Sequence, residues 1–283
     1  MRNLLIVGCG DIGLRAAPLL GKSYRLFALT HSPERFCALR KSGITPIYGD
    51  LDRPESLSRL PGIAHTVLHL APPQNHGGHD IRTANLLAAL SKCAIVPYRL
   101  VYISTSGVYG DCRGEIVCET RRTGPQTLRA VRRLDAEKKI RKWGRGNGVS
   151  VSILRVPGIY SSERVSPSRL AMPVLQECDD VYTNHIHAED LARIAAAAIK
   201  RGLPGRIYNV GDDSPMKIAD YSDLLADRFG LPRPARFSRA ELEKIVPESM
   251  YSFMQESRRM DNLRMKRELR ISLKYPKVSD GLS

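Results

Sequence analysis

Residues 1–13, MRNLLIVGCGDIG, decide the fold. Residues 4–7 form a short, continuous apolar run, which is typical of a strand buried on both faces of a parallel sheet. Three glycines follow at G-x-G-x-x-G spacing and open a helical pattern: Gly8, Gly10 and Gly13. Such glycines permit a tight turn, the approach of a pyrophosphate to the backbone, and close packing of helix on strand. The stretch predicts a dinucleotide-binding turn to which Asp11 and Ile12 also contribute, the alternative being a glycine-rich turn without a ligand.

Length and composition indicate a globular protein. The 283 residues, 42% of them hydrophobic, suffice for one large α/β domain or for a domain with a smaller lobe. No apolar run approaches the length that spans a membrane, and the N-terminus lacks the pattern of a signal peptide. The six cysteines are scattered without a C-x-x-C pair: Cys9, Cys37, Cys93, Cys112, Cys118 and Cys178. We therefore expect a cytoplasmic protein with reduced thiols and no metal site.

The formal charge of +15 is large for an enzyme. It favours nucleic acid, a phosphate-bearing small ligand or a merely basic surface. Basic residues concentrate in residues 121–145 and 258–270, but neither stretch is interleaved with a platform of stacking aromatics. We therefore expect a small-molecule substrate, with an anionic one compatible with the charge, rather than nucleic acid or a membrane. The oligomeric state is open.

Strand and helix patterns alternate along most of the chain. Strands are predicted at residues 24–29, 45–48, 67–70, 100–104, 149–154 and 206–210, and helices at residues 80–92, 188–201, 218–229, 239–245 and 262–269. Pro18 is expected to kink the first helix near Leu14. The alternation predicts an α/β fold, a doubly wound parallel Rossmann sheet with right-handed crossovers. No clear strand is predicted after Pro215, so a small, mostly helical C-terminal substrate lobe is expected: residues 1–155 and 184–212 for the cofactor domain, 156–183 and 213–283 for the lobe.

The residues after the second predicted strand bear on the choice of cofactor. Many NAD-binding proteins have an acidic residue there to hold the ribose hydroxyls, whereas this chain has Thr30, followed by Ser32 and Arg35. A guanidinium attracts the 2′-phosphate that a carboxylate would repel, so NADP is favoured over NAD. Ser32 also fits an ordinary helix N-cap. Four further positions follow the third and fourth strands and are expected to contact the cofactor: Asp50, Leu51, Leu70 and Ala71. Asp50 could hydrogen-bond the adenine amine or simply cap the short helix near Pro54.

Seven short strings, in order over nearly the whole chain, resemble the extended short-chain dehydrogenase/reductases, the fold of NAD-dependent epimerases and dehydratases, and more closely their atypical branch. They are GCGDIG at Gly8, GDL at Gly49, STSGVYGD at Ser104, ILRVPGIY at Ile153, NHIHAEDLA at Asn184, YNVGDDSP at Tyr208 and SRRMDNLRMKREL at Ser257. Extended members often carry G-x-x-G-x-x-G instead of the spacing here. The resemblance implies a nicotinamide cofactor and an oxidoreductase, epimerase or dehydratase activity on a small polar substrate.

The resemblance also implies catalytic positions, and one pair departs from the pattern. Thr105 matches the Ser or Thr that hydrogen-bonds the reacting oxygen. The frame of Pro125 and Glu137 places Arg129 where the family has its catalytic Tyr and Arg133 where it has its Lys. An arginine stays protonated and is a poor proton shuttle, although Arg133 could hold ribose or phosphate. At i and i+4 the two arginines could grip an anionic substrate together, or both could simply face solvent.

Other proton donors and a second function remain open. Tyr109 and Tyr160 follow strands that should reach the same edge of the sheet, although Tyr109 is more often a packing residue in such a motif. His185 and His187 share a face of extended chain, but no third metal ligand is evident. The alternative to an enzyme is therefore a catalytically degenerate NADP-binding sensor or regulatory protein.

Overall fold

A central sheet of parallel strands organises the computed structural model, which describes residues 1–165 and 172–282. In chain order the strands are β1 (Arg2–Val7), β2 (Tyr24–Thr30), β3 (Ile44–Tyr48), β4 (Thr66–His69), β5 (Arg99–Thr105), β6 (Ile116–Val117), β7 (Ser150–Val156), β8 (Gly158–Tyr160), β9 (Val174–Leu175), β10 (Tyr182–Thr183), β11 (His185–His187), β12 (Arg206–Asn209), β13 (Met216–Lys217), β14 (Arg236–Phe237) and β15 (Arg259–Met260). The helices are α1 (Asp11–Gly21), α2 (Phe36–Lys41), α3 (Ile81–Leu90), α4 (Leu128–Gly146), α5 (Ala188–Arg201), α6 (Ile218–Arg228), α7 (Arg239–Ile245), α8 (Glu248–Met254) and α9 (Leu263–Leu269).

The central sheet of the described residues has seven strands in the order β3-β2-β1-β4-β5-β7-β12, all parallel. Successive side chains of a strand point to opposite faces, and β1 follows this rule. Leu4 and Ile6 pack into the apolar cluster that contains residues of α1 and α5, whereas Leu5 and Val7 pack into the one that contains residues of α3 and α4. Both faces are therefore covered, and the predicted doubly wound Rossmann fold is confirmed.

The strand order reverses direction between β1 and β4. The chain moves outward from β1 to β2 and β3, and then returns to place β4 and β5 on the other side of β1. Crossovers on opposite sides of such a point leave a crevice at the carboxyl ends of the strands, where open α/β sheets bind ligands. Val7 at the end of β1 is level with Leu29 of β2 and His69 of β4, so the turns that follow these strands meet at one edge.

The chain after Pro215 is mostly helical, as predicted, but the expectation of no strands there was wrong. Three two-residue strands, β13, β14 and β15, pair with β10, β9 and β6. Two residues are too few to show a periodic pattern, so only their distant partners reveal them. The division of the chain into two domains at the predicted boundaries stays a prediction.

The predicted strands of the central sheet lie within two residues of those observed. Helix α1 runs from Asp11 to Gly21 through Pro18, whose side chain is exposed while Ala17 and Leu20 are buried. Pro18 thus occupies the solvent side, where the missing N–H is least costly. Over residues 1–165 and 172–282, no helix combines the length and the apolar character that crossing a bilayer requires.

Candidate functional site

The turn between β1 and α1 requires glycine at each of its two ends, for a different reason at each. Gly8 has φ of +82°, and a Cβ there would lie 2.5 Å from the backbone nitrogen of Ala71. A Cβ on Gly13 would lie 3.0 Å from Cys9 Sγ and 3.3 Å from side-chain carbons of Ile6 and Leu70. Gly8 therefore serves the turn and Gly13 the contact of helix with sheet, as the spacing predicted.

Gly10 differs from the other two glycines because a Cβ there would meet no protein atom within 4 Å. Gly10 is also the N-cap of α1, and it supplies no side chain to the N–H groups of the first helical turn. Open space beside uncapped N–H groups at the positive end of a helix fits the pyrophosphate of a dinucleotide. The residues present therefore fit the nicotinamide cofactor that the sequence predicts.

The side chain of Asp11 is engaged by arginines. Its carboxylate pairs with Arg15 at 2.6 Å and with Arg164 at 2.8 Å. Arg15 also pairs with Glu163 at 3.1 Å. The carboxylate charge beside the predicted pyrophosphate position is thus compensated, and Asp11 and Ile12 offer backbone groups of the first helical turn.

Arg35 leans towards the glycine turn. Its Nη2 donates a hydrogen bond to the carbonyl oxygen of Cys9 at 2.7 Å, and the Thr30 hydroxyl oxygen accepts one from the backbone N–H of Ser32 at 3.2 Å. A guanidinium between the end of β2 and the first turn of α1 lies where the adenine ribose of a Rossmann cofactor is held. Ser32 is the N-cap of the short helical turn Pro33–Arg35, with the proline at its start as the N-cap alternative predicted, although its side chain makes no cap hydrogen bond.

The remaining predicted cofactor positions follow β3 and β4. Asp50 Oδ1 accepts a hydrogen bond from the backbone of Asp52 at 2.9 Å, which stabilises a local turn. Leu51 is buried at 9% exposure. Leu70 and Ala71 both donate backbone hydrogen bonds to the carbonyl of Val7, at 2.8 and 3.0 Å. All four lie at the edge of the sheet where β1 and β2 also end.

A cavity of about 250 Å³ adjoins this edge beyond β5 and β7. Thr105, the last residue of β5, lines it, and its hydroxyl oxygen accepts a hydrogen bond from the Gly107 N–H at 3.3 Å. Residues from the C-terminal part close the other side, among them Tyr221, Phe253 and Met254. The structure thus brings Thr105 to a pocket enclosed by both halves of the chain.

The two arginines of α4 have different contacts, and the structure does not bring both of them to the cavity for a joint grip on an anion. Arg129 lines the cavity, and its guanidinium carbon lies 4.1 Å from the ring centroid of Phe253. Arg133 does not line the described cavity; its Nη1 donates to the Ile103 carbonyl at 2.8 Å and to the Tyr102 hydroxyl at 3.1 Å. Spacing of i and i+4 places two residues on one helix face, but long side chains then follow their own partners.

The two tyrosines considered as substitute donors are both occupied. Tyr109 is 3% exposed, does not line the cavity, and donates its hydroxyl to Asn209 Oδ1 at 2.6 Å. Tyr160 lines the cavity but is 2% exposed and donates to the Lys277 carbonyl at 3.2 Å. Burial raises the pKa of both phenols. The contacts of Tyr109 support the packing alternative, and its role as a proton donor stays a prediction that its burial does not favour.

The histidine pair of β11 packs around Tyr160 instead of around a metal ion. His185 lines the cavity and stacks on Tyr221 with ring centroids 3.8 Å apart. His187 caps α5, because its Nδ1 accepts a hydrogen bond from the Glu189 N–H at 3.2 Å. Among the described residues, no three His, Cys, Asp or Glu side chains are grouped to hold a metal ion.

Sequence reasoning missed a buried ion pair that reaches the cavity from the C-terminal segment. Glu256 and Arg258 are 8% and 9% exposed, both line the cavity, and Arg258 Nη1 donates to Glu256 Oε2 at 2.8 Å. The same Nη1 donates to the Gly110 carbonyl at 2.8 Å. The available signal was the SRRMDNL string, which was matched as a whole without a role for its residues.

The comparisons with known proteins agree with this geometry. The model of the NAD dependent epimerase/dehydratase family matches residues 4–211, which include the glycine turn, Thr105 and both arginines of α4. The chain belongs to the NAD dependent epimerase/dehydratase family. Within it, the chain is 26% identical over 279 residues to the GDP-6-deoxy-D-mannose reductase of Pseudomonas aeruginosa, covering 86% of this chain and 87% of the relative.

Two solved structures illustrate the similarity of fold. A conserved protein of unknown function from Silicibacter pomeroyi is 28% identical, with a TM-score of 0.80 over 100% of this chain and 97% of that one. MoeE5, solved in complex with UDP-glucose and NAD, is 21% identical, with a TM-score of 0.76 over 99% of this chain and 96% of that one. At that identity the second likeness shows the fold alone.

Proposed function

We propose that the protein is an NADP-dependent oxidoreductase or epimerase/dehydratase of the atypical extended short-chain dehydrogenase type, acting in the cytoplasm on a small, polar, anionic substrate such as a nucleotide sugar. The observation that carries the proposal is the meeting of the glycine turn and the Thr105 cavity at the carboxyl edge of one sheet. The substrate class is supported by the relative that is a GDP-6-deoxy-D-mannose reductase. Six cysteines without a disulfide partner suit the reducing cytoplasm.

The choice of NADP is supported by the residues around the glycine turn. Thr30 ends β2 without a carboxylate, and Arg35 is held by the Cys9 carbonyl beside the turn. Gly8, Gly10, Asp11, Ile12 and Gly13 would hold the pyrophosphate, with Leu70 and Ala71 along the path across the sheet. Asp50 and Leu51 would adjoin the adenine.

Thr105 and Arg133 have separate roles in this proposal. The bound nicotinamide would supply hydride chemistry. Thr105 would donate its hydroxyl hydrogen to the reacting oxygen, since its lone pair already accepts from Gly107. Arg133 Nη1 is held by Tyr102 and Ile103 of β5 and by the Ala71 carbonyl after β4. Within residues 1–165 and 172–282 its Nε and Nη2 bond no protein group, so they are available to the cofactor ribose.

The test is turnover by purified protein with NADP⁺ and two probes, UDP-glucose and GDP-6-deoxy-D-mannose. NADPH absorbance follows net oxidation, and chromatography of the nucleotide sugar follows epimerisation or dehydration, which return the hydride to the substrate and leave no net NADPH. Wild type is compared with Thr105→Ala, Arg129→Tyr and Tyr109→Phe. We expect Thr105→Ala to lose about 10²-fold in kcat, because a preorganised donor to the reacting oxygen is removed. Tyr109→Phe should turn over at the wild-type rate, since its hydroxyl lies outside the cavity.

Arg129→Tyr restores the family's residue. With these two probes, which carry no acid besides the nucleotide diphosphate, it should raise the rate, since general acid–base help is worth about 10²–10⁴-fold. No turnover in any variant, together with tight NADP⁺ binding, would overturn the enzyme in favour of the sensor. Absence of NADP⁺ binding would overturn both.

A further inference from the structure

Arg129 differs from the other arginines of the cavity in that no carboxylate among the described residues contacts it, although Glu256 is near enough to act on its charge. Arg164 pairs with Asp11 at 2.8 Å, and Arg258 pairs with Glu256 at 2.8 Å. Over the described part of the chain, Arg129 makes neither a hydrogen bond nor an ion pair, although it lines the same cavity. The wall therefore presents one cation whose donors are not used by the protein.

Phe253 packs against this cation. The guanidinium carbon lies over the ring, 4.1 Å from its centroid, within the range of a cation–π contact. The five N–H donors of a guanidinium lie in its plane, where they match the two oxygens of a planar acid. The contact with Phe253 uses none of these donors.

The charges around Arg129 are mostly positive. Met250, Phe253 and Met254 line the same cavity, and Arg129 itself is exposed towards it. Desolvation lowers the pKa of the guanidinium, and the charges of Arg258, Arg132 and Arg133 lower it further, whereas the charge of Glu256 opposes them. Arg129 is also the second residue of α4, whose N-terminal end carries a positive partial charge.

We propose that Arg129 binds an acidic group of the substrate, a carboxylate or a phosphate, next to Thr105 at the reacting end of the molecule. This acid is separate from the nucleotide diphosphate expected of the substrate. Since it belongs to the substrate of the enzyme proposed above, it rests on that function. The position given by the family to a proton-transferring tyrosine is, in this chain, a site for recognising an acid.

The test is footprinting of the wild-type protein with phenylglyoxal, which modifies accessible guanidiniums, followed by peptide mapping. The probes are malonate, its uncharged analogue malonamide, and inorganic phosphate, each added at matched ionic strength. Arg59, exposed and remote from the cavity, is the control on the same molecule. We expect malonate or phosphate to slow labelling of Arg129 by about tenfold, equivalent to about 1.4 kcal/mol, with no change at Arg59. The stronger of the two probes identifies the acid as planar or tetrahedral.

Two results would overturn the proposal: equal protection by malonamide, which would make Arg129 a partner of neutral oxygens, and equal slowing at Arg59, which would reduce the effect to bulk screening. A variant gives a second measurement. Phe253→Leu removes the stacking but no charge, and should weaken malonate protection several-fold while the protein stays folded. Unchanged protection in that variant would also contradict the proposal.

The outcome is separable from that of the proposed function. NADP⁺ binding is measured by calorimetry on the same preparation, in the absence of any acid probe. If the protein does not bind NADP⁺ but the acids still protect Arg129, the proposed enzymatic function is contradicted and the anion site is supported. Normal NADP⁺ binding without protection would leave the enzyme and remove the acid from its substrate.

Discussion

Gly8 and Gly10 lie two residues apart in one turn, yet a side chain has opposite consequences at the two positions. At Gly10 a Cβ meets no protein atom within 4 Å, so Gly10→Val should fold with nearly the wild-type Tm and lose NADP⁺ binding, because the side chain fills the pyrophosphate position. Gly8→Ala is the matched control. Its φ of +82° and the 2.5 Å approach to Ala71 predict a loss of stability of at least about 1–3 kcal/mol. Calorimetric binding and thermal melts of both variants measure this, and unchanged affinity in a folded Gly10→Val protein contradicts the cofactor site.

Arg35 is the residue to which we assign the proposed preference for NADP over NAD. Removing one charged contact to the 2′-phosphate should cost on the order of 1.5–3 kcal/mol, or about ten- to a hundredfold in affinity for NADP⁺. Affinity for NAD⁺, which lacks that phosphate, should change little in Arg35→Ala. The measurement is a pair of calorimetric titrations for each protein. An equal loss for the two cofactors would mean that Arg35 acts through the Cys9 carbonyl on the turn itself.

At the scale of elements, α4 is joined to β7 by a buried ion pair beneath the cavity. Arg155 donates to both carboxylate oxygens of Glu137, at 3.1 and 2.8 Å, and Ser104 donates to the same carboxylate at 2.6 Å. The two charged side chains are 4% and 2% exposed. Glu137→Ala leaves a buried cation unpaired and should destabilise the protein by about 3–5 kcal/mol in urea unfolding.

The double variant Glu137→Leu with Arg155→Met separates charge from packing. It removes both ions and should recover most of the stability lost in the single variant. A single variant that loses less than about 1 kcal/mol would show that the pair contributes little, as exposed pairs do.

The elements themselves divide by how local their causes are. Helices α5 and α7 have the bounds that the sequence predicted, Ala188–Arg201 and Arg239–Ile245, because alanine content and a Ser238–Glu241 capping box act within one turn. The two-residue strands and the entry of Glu256 and Arg258 into the cavity depend on residues far away in the chain. The glycine turn could be predicted because its causes lie within the turn itself. The different contacts of Arg129 and Arg133 could not be predicted because their partners lie far away in the chain.

At the scale of the whole molecule, Asp212 joins distant parts of the chain at the point where the end of β12 meets the C-terminal segment. Its backbone N–H donates to the His185 carbonyl at 2.8 Å, and its carbonyl accepts from Asn262 at 3.0 Å. Asp212 is 9% exposed. Desolvation raises its pKa to about 7, with Asp213 and Asp190 adding to the rise and the hydrogen bonds from Ser214 opposing it.

This raised pKa makes the stability of the molecule depend on pH in a known direction. In the unfolded chain Asp212 titrates near about 3.9, so between about pH 4 and 7 the folded state binds more protons and its stability falls as pH rises. Buried His69, with a pKa lowered to about 3, produces the opposite slope up to about pH 6.5, so the wild type alone shows only the sum of the two contributions to stability.

The variant Asp212→Asn keeps the shape of the side chain and removes its titration. The difference between wild type and variant in free energy of unfolding should therefore change by up to about 1.4 kcal/mol per pH unit between about pH 5 and 6.5, and be flat above about pH 8. Urea unfolding at a series of pH values measures it, with the exposed Asp220→Asn as control; a difference independent of pH would mean that water reaches the carboxyl group.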